Sequence, residues 1–105
     1  MNMGRPKIAN VMSLIHARAR VGDFIVLPHA ETRRGERKIS VPDIVHVLVH
    51  GEREPDRDEF KDDFQSWNYS IRGKTVDDRQ VRVAVAFDQR DMLIITVIPL
   101  GKRRL

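Results

Sequence analysis

His29-Ala30-Glu31-Thr32-Arg33-Arg34-Gly35-Glu36-Arg37-Lys38-Ile39-Ser40-Val41-Pro42-Asp43-Ile44 is the stretch on which the architecture turns. It reads as a short polar helix, a break, and a second helix. Residues four apart share a helix face, so a helix from His29 towards Arg37 lines up His29, Arg33 and Arg37. Gly35 weakens that helix by about 1 kcal/mol relative to alanine. Its apolar content is poor, so most of it faces water. The following boundary is the best marked in the chain. Ser40 and Asp43 stand three apart as a variant capping box, Ile39 and Ile44 occupy the positions of a hydrophobic staple, and Pro42 suits a first turn. A helix then runs through Val45, Val47, Leu48 and Val49 to a stop at Gly51. Its β-branched content would suit a strand equally well, so the caps decide.

Working outward, Asp23-Phe24-Ile25-Val26-Leu27 is an apolar run bounded by turn residues, and predicts a largely buried strand ended by Pro28. Before it, Ile8, Val11, Met12 and Ile15 recur at helical spacing, so a helix is expected over residues 5–20 with Gly22 as its stop. After Gly51, the polar run Glu52 to Gln65 reads as a long loop, with a short helical turn pinned by Phe60 and Phe64. Three strands follow. Trp67, Tyr69 and Ile71 alternate with Asn68, Ser70 and Arg72. Val81, Val83, Val85 and Phe87 alternate with Arg82, Ala84 and Ala86. Met92 to Ile98 is apolar on both faces apart from Thr96, the pattern of a central strand. Short connections at Gly73–Arg79 and Asp88–Asp91 imply an antiparallel meander. Pro99 and Gly101 end the sheet. The expectation is an α+β fold: a four-stranded, mostly antiparallel sheet (one strand, then a three-strand meander), with the N-terminal helix and two further helices packed on one face. A single domain spans 1–105, with its core over 5–99 and flexible tails at 1–4 and 100–105.

With 105 residues the chain is long enough for one core. It has no cysteine, which excludes a disulfide frame, a thiolate zinc site and a thiol nucleophile. No apolar run approaches a membrane span, no signal-peptide core is present, and a cytoplasmic protein is expected. The net charge of +4 conceals an asymmetry: Glu52 to Asp63 carries seven acids and three bases, so the remainder is strongly basic. A basic body with one acidic segment suits a polyanion partner, and equally a soluble protein with a charged loop.

The His29–Ile44 run resembles a small prokaryotic family known as domain of unknown function 4258. The shared pattern is His29-Ala30, Arg33 four residues on, Glu36-Arg37, Ile39-Ser40 and Asp43-Ile44. This chain has Lys38 where the family typically has glycine. Gly51, the valine-rich strand and the Ile-Ile-Thr-Val run at 94–97 extend the resemblance over roughly 23–99. In element order that family is similar to RelE-like toxins. The resemblance implies a RelE-like fold with an RNA-cleaving or RNA-binding surface on the sheet and its neighbouring helix, and the first expectation from it is a metal-independent endoribonuclease of toxin–antitoxin type, acting on RNA and neutralised by an antitoxin-like protein.

Cleavage of that kind needs a base for the 2′-hydroxyl and cations for the phosphate. Histidine titrates near neutrality, so His29 is the candidate base. Arg33 and Arg37 are candidates for the phosphate, because guanidinium groups bind it bidentately. Tyr69, Arg72, Lys74, Arg82 and Thr96, on or near the sheet, are candidate RNA contacts. The rival readings are structural: His29 as a cap, the arginines as ion-pair partners of Glu36 or the acidic segment, and Trp67 and Tyr69 as core residues. His46 and His50 are four apart, a spacing that can bind zinc. No third ligand accompanies them, so no metal and no cofactor is expected. The alternative function is a non-catalytic module that binds protein or nucleic acid, perhaps as a homodimer through an edge strand or the N-terminal helix.

Overall fold

The computed structural model of the chain describes residues 6–63 and 65–101. Helix α1 (Val11–Arg20) is followed by strand β1 (Ile25–Val26), helix α2 (Pro28–Glu36) and helix α3 (Val41–His50). Then come β2 (Glu52–Arg53), a 3₁₀ turn at Pro55–Arg57, β3 (Glu59–Lys61), β4 (Ser66–Lys74), β5 (Gln80–Phe87) and β6 (Met92–Gly101). The strand order is β1-β6-β5-β4-β2, with β3 also pairing β4. β1 runs parallel to β6, and every other pairing is antiparallel. The fold is therefore α+β with the expected meander, but the sheet has six strands instead of four.

The two extra strands lie in the segment read as a loop. Strands of two and three residues are too short to show alternation in a sequence. Both pair the outer edge of β4, and Asp58 bridges the gap between them. The amide of Glu54 donates to the Ser70 carbonyl at 2.9 Å, while the Asp58 carboxylate accepts the Ser70 N–H at 3.2 Å. Asp58 thus supplies the rung that a continuous edge strand would give. Its side chain is fully buried and also faces Lys7, at 3.0 Å, and Arg53. Phe60 belongs to β3 and meets Trp67 edge-on, with ring centroids 5.5 Å apart, so the expected helical turn is not formed there. Phe64, the other half of that expectation, lies outside the described residues.

Helix α1 begins at Val11, later than expected. Asn10 adopts left-handed backbone geometry (φ 53°), which breaks any helix through it. The segment before it is held in another way: the Ile8 N–H donates to the Tyr69 hydroxyl at 2.9 Å, and the Lys7 ammonium sits 4.7 Å from the Trp67 ring centroid. The expected tails at 1–4 and 102–105 lie outside the described residues, whereas Leu100 and Gly101 belong to β6.

Helix α3 starts as its caps dictate. The Asp43 amide donates to Ser40 Oγ at 3.1 Å, and the Ser40 amide donates to Asp43 Oδ2 at 3.0 Å. Its other end is fixed by contact of backbone on backbone. A Cβ on Gly51 would lie 2.5 Å from the Val47 carbonyl oxygen and 2.6 Å from that of Arg72. A Cβ on Gly73 would lie 2.9 Å from the Gly51 Cα. Only glycines let the helix end seat directly on β4.

The core joins Ile15 and Ala19 of α1, Ile44, Val47 and Leu48 of α3, and the buried face of the sheet: Tyr69, Ile71, Val81, Val83, Val85, Ile94 and Val97. A bulge in β6 explains its unbroken apolar run. Thr96 pairs with Ala84 and Ile94 with Val85, leaving Ile95 as the extra residue. The alternation shifts phase there, so Ile94 and Val97 both reach the core. Among the described residues no helix is long and apolar enough to cross a membrane.

Candidate functional site

His29 is the second residue of α2, directly after Pro28. The Leu27 amide donates to the Ile94 carbonyl at 3.1 Å, continuing the β1–β6 ladder to the very start of the helix. That short junction leaves no slack and sets an exposed imidazole at the margin of the sheet.

There His29 lines a groove of about 480 Å³ with Leu27, Lys61, Ser66, Asn68, Ala86, Leu93, Ile95 and Thr96. The sheet residues among these alternate with core residues, so the groove lies on the sheet face turned away from α3. Its depth follows from the register. Ala86 pairs with Leu93 on one side, and Asn68 lies one position beyond the Tyr69–Val85 pair on the other. A small residue on the middle strand, between larger ones, leaves a trough with an apolar floor. Among the described residues the side chains of His29, Ser66, Asn68 and Thr96 make no hydrogen bond. Asp88, also on the lining, is already engaged. It accepts the Asp91 and Arg90 amides at 2.6 and 2.8 Å, which hold its carboxyl below the usual range and keep it an anion.

The other expected residues separate into three groups. Arg33 and Arg37 are exposed, with no carboxylate partner among the described residues, and they lie outside the groove lining. Arg37 falls just beyond α2, as its C-cap. The neighbouring Arg34 instead grips Glu31, at 2.9 and 2.6 Å. Two residues are built into the framework. Tyr69 is buried with its hydroxyl engaged by Ile8, so it offers no ring to an RNA base. Arg82 forms a bidentate pair with Glu54, at 2.5 and 3.1 Å, and only 16% of its side chain is exposed. The Arg82 hydrogen bonds hold the Glu54 carboxyl below its ordinary value. Arg72 and Lys74 line a different hollow of about 580 Å³, together with His46 and His50. Only Thr96 of the five expected RNA contacts shares the groove with His29.

The imidazoles of His46 and His50 lie 4.6 Å apart between centroids, and His46 Nδ1 is 2.8 Å from the Lys74 carbonyl oxygen. Among the described residues no three histidine, cysteine, aspartate or glutamate side chains are gathered for a metal.

Sequence reasoning missed Lys61, Ser66 and Asn68. Lys61 was hidden in the segment read as a loop. Asn68 carried a signal: it is a polar residue at an outward position of a strand whose antiparallel neighbour has alanines at its own outward positions.

No curated protein and no solved structure matches the chain. The family model described as "Domain of unknown function (DUF4258)" matches residues 26–99, from the last residue of β1 into β6. That span contains the whole groove and excludes α1. The chain therefore belongs to the DUF4258 family, a domain of unknown function.

Proposed function

We propose that the chain is a RelE-like, metal-independent endoribonuclease of toxin–antitoxin type, with the groove beside His29 as its centre. The observation that carries this reading is the meeting of an exposed imidazole with Lys61, Asn68 and Thr96 around one trough, with Arg33 within the same helix and Arg37 at its C-cap, neither with a carboxylate partner among the described residues. His29 would take the proton of the 2′-hydroxyl. The freed oxygen attacks phosphorus, the P–O5′ bond breaks, and a 2′,3′-cyclic phosphate and a 5′-hydroxyl result. The 5′-oxygen takes its proton from water. Lys61 and Arg33 would offset the charge that builds on the phosphate oxygens, and Arg37 would hold a neighbouring phosphate. An antitoxin-like protein would act by covering the groove. An RNA substrate places the work of such a protein in the cytoplasm.

Induced expression in a bacterial host tests this, with wild type compared against His29→Ala for growth and total RNA integrity. Growth arrest with RNA cleavage, both lost in the variant, is the expected result. Intact RNA and normal growth from folded wild type would reject the enzyme and favour the second reading, a non-catalytic module that binds RNA or protein. One observation favours that alternative: Asp88, the only carboxylate lining the groove among the described residues, is fixed as an anion by its turn, so no partner acid stands opposite His29.

A further inference from the structure

We infer that the groove is a pocket for one unpaired nucleobase of single-stranded RNA, and that Asn68 is the residue that reads it. The inference rests on the RNA reading above and adds the form of the substrate and the residue that selects it.

The lining divides by chemistry. Ala86, Leu93 and Ile95 make an apolar floor, suited to the flat face of a base. Around it stand an amide and two hydroxyls, from Asn68, Ser66 and Thr96, with no hydrogen bonds to other described side chains or backbone. Besides His29, the charged lining residues are Lys61, which meets the exposed Glu59 at 3.1 Å in a pair of little strength in water, and the exposed Asp88, whose carboxylate is taken up by the Arg90 and Asp91 amides. The apolar floor and polar edges match a base and its edge, and Lys61 can meet a flanking phosphate.

Asn68 is the strongest reader of the three. Its amide offers a donor and an acceptor side by side, the pattern that contacts a base edge with two hydrogen bonds. A hydroxyl adapts to either kind of partner and discriminates less. Asn68 is also held in place. Its backbone lies within β4, where it pairs with Glu59 of β3, and the β4–β5 pairing begins at the next residue, Tyr69. A side chain on a paired strand is preorganised in a way that loop residues are not.

The base must come from a single strand. In a duplex the same edges are already paired, and sequence-specific RNA readers act on splayed, unstacked bases. Phosphates on either side of that base would then lie near Lys61 and near α2, where Arg33 and Arg37 follow His29 at one-turn intervals.

The test is binding of fluorescent 2′-O-methyl oligo(A), oligo(C) and oligo(U), followed by anisotropy. The methyl group removes the nucleophile, so binding is read without cleavage. Wild type is expected to prefer one oligomer by about tenfold or more, and Asn68→Ala is expected to abolish most of that preference. Ala86→Leu, which fills the floor, should weaken all three, with thermal melting confirming that it folds. Annealing the preferred oligomer to its complement should abolish binding. An equal preference in wild type and Asn68→Ala would overturn the inference, as would wild-type binding with no preference. Either result leaves the ribonuclease reading standing if RNA is still cleaved. A folded wild type that neither binds nor cleaves RNA would sink both.

Discussion

Replacing Asp58 with alanine should destabilise the protein by about 3–4 kcal/mol, a large share of the roughly 5–15 kcal/mol that holds a domain of this kind together. The figure follows from what the carboxylate touches. The Ser70 N–H, at 3.2 Å, would lose the acceptor it has among the described residues at a sheet edge, which costs about 1–3 kcal/mol. Arg53 is 22% exposed and its Nε has no partner among the described residues, so its charge would be stranded in a poorly hydrated place. Lys7 is 39% exposed and can return to water, so its share is small. Asp58→Asn keeps an oxygen for the Ser70 N–H and removes only the charge, so a loss of about 1–2 kcal/mol is expected. Urea unfolding measures both, with an unchanged slope showing that midpoint shifts report stability. On heating, the alanine variant should melt about 12–20 °C lower. A loss below about 1 kcal/mol for Asp58→Ala would refute the claim that this side chain replaces a rung of the ladder.

Three further outcomes are expected. Asp43 and Glu54 should lend acid sensitivity. Burial raises the Asp43 carboxyl, but the Ser40 and Val76 amides outweigh it, and Arg82 lowers that of Glu54. Both groups are ionised in folded and unfolded chains above the ordinary carboxylate range, where their contribution is complete. As pH falls below that range the unfolded chain takes up protons first and stability is lost, so urea midpoints should drop there, and less steeply in Glu54→Gln. Gly51→Ala should cost about 2–3 kcal/mol because its Cβ meets backbone on two sides, whereas Gly35→Ala, in open space within α2, should add about 0.5–1 kcal/mol. Ser40→Ala should lower stability by about 1 kcal/mol through loss of the α3 cap, read by thermal melting.

The parts of the fold that were legible in the sequence have local causes. Ser40, Pro42 and Asp43 mark α3 because a helix start needs acceptors within three residues of chain. The alternation of β4 and β5 is visible because one face of each is buried. What escaped depends on residues far apart. The β2 and β3 pieces exist because β4 has an edge to be paired and Asp58 can span the gap, and neither fact is visible in Glu52–Asp63 alone. The bulge at Ile95 appears only once β5 is laid beside β6. The candidate site shows the same division. His29 was identifiable from its helix and Thr96 as the polar exception in its strand. That Arg82 is occupied by Glu54, that Tyr69 is held by Ile8, and that Lys61 and Asn68 adjoin His29 are facts of register, which no local pattern encodes.

The pairing of β1 with β6 carries a consequence for the chain during its synthesis. The groove takes Leu27 and His29 from one strand–helix junction and Leu93, Ile95 and Thr96 from the last strand, which leaves the ribosome far later. Until those residues emerge, His29 has no floor beside it and β1 has no neighbour. A nascent chain therefore lacks the groove until β6 is in place, and a chain truncated before Thr96 should never acquire it.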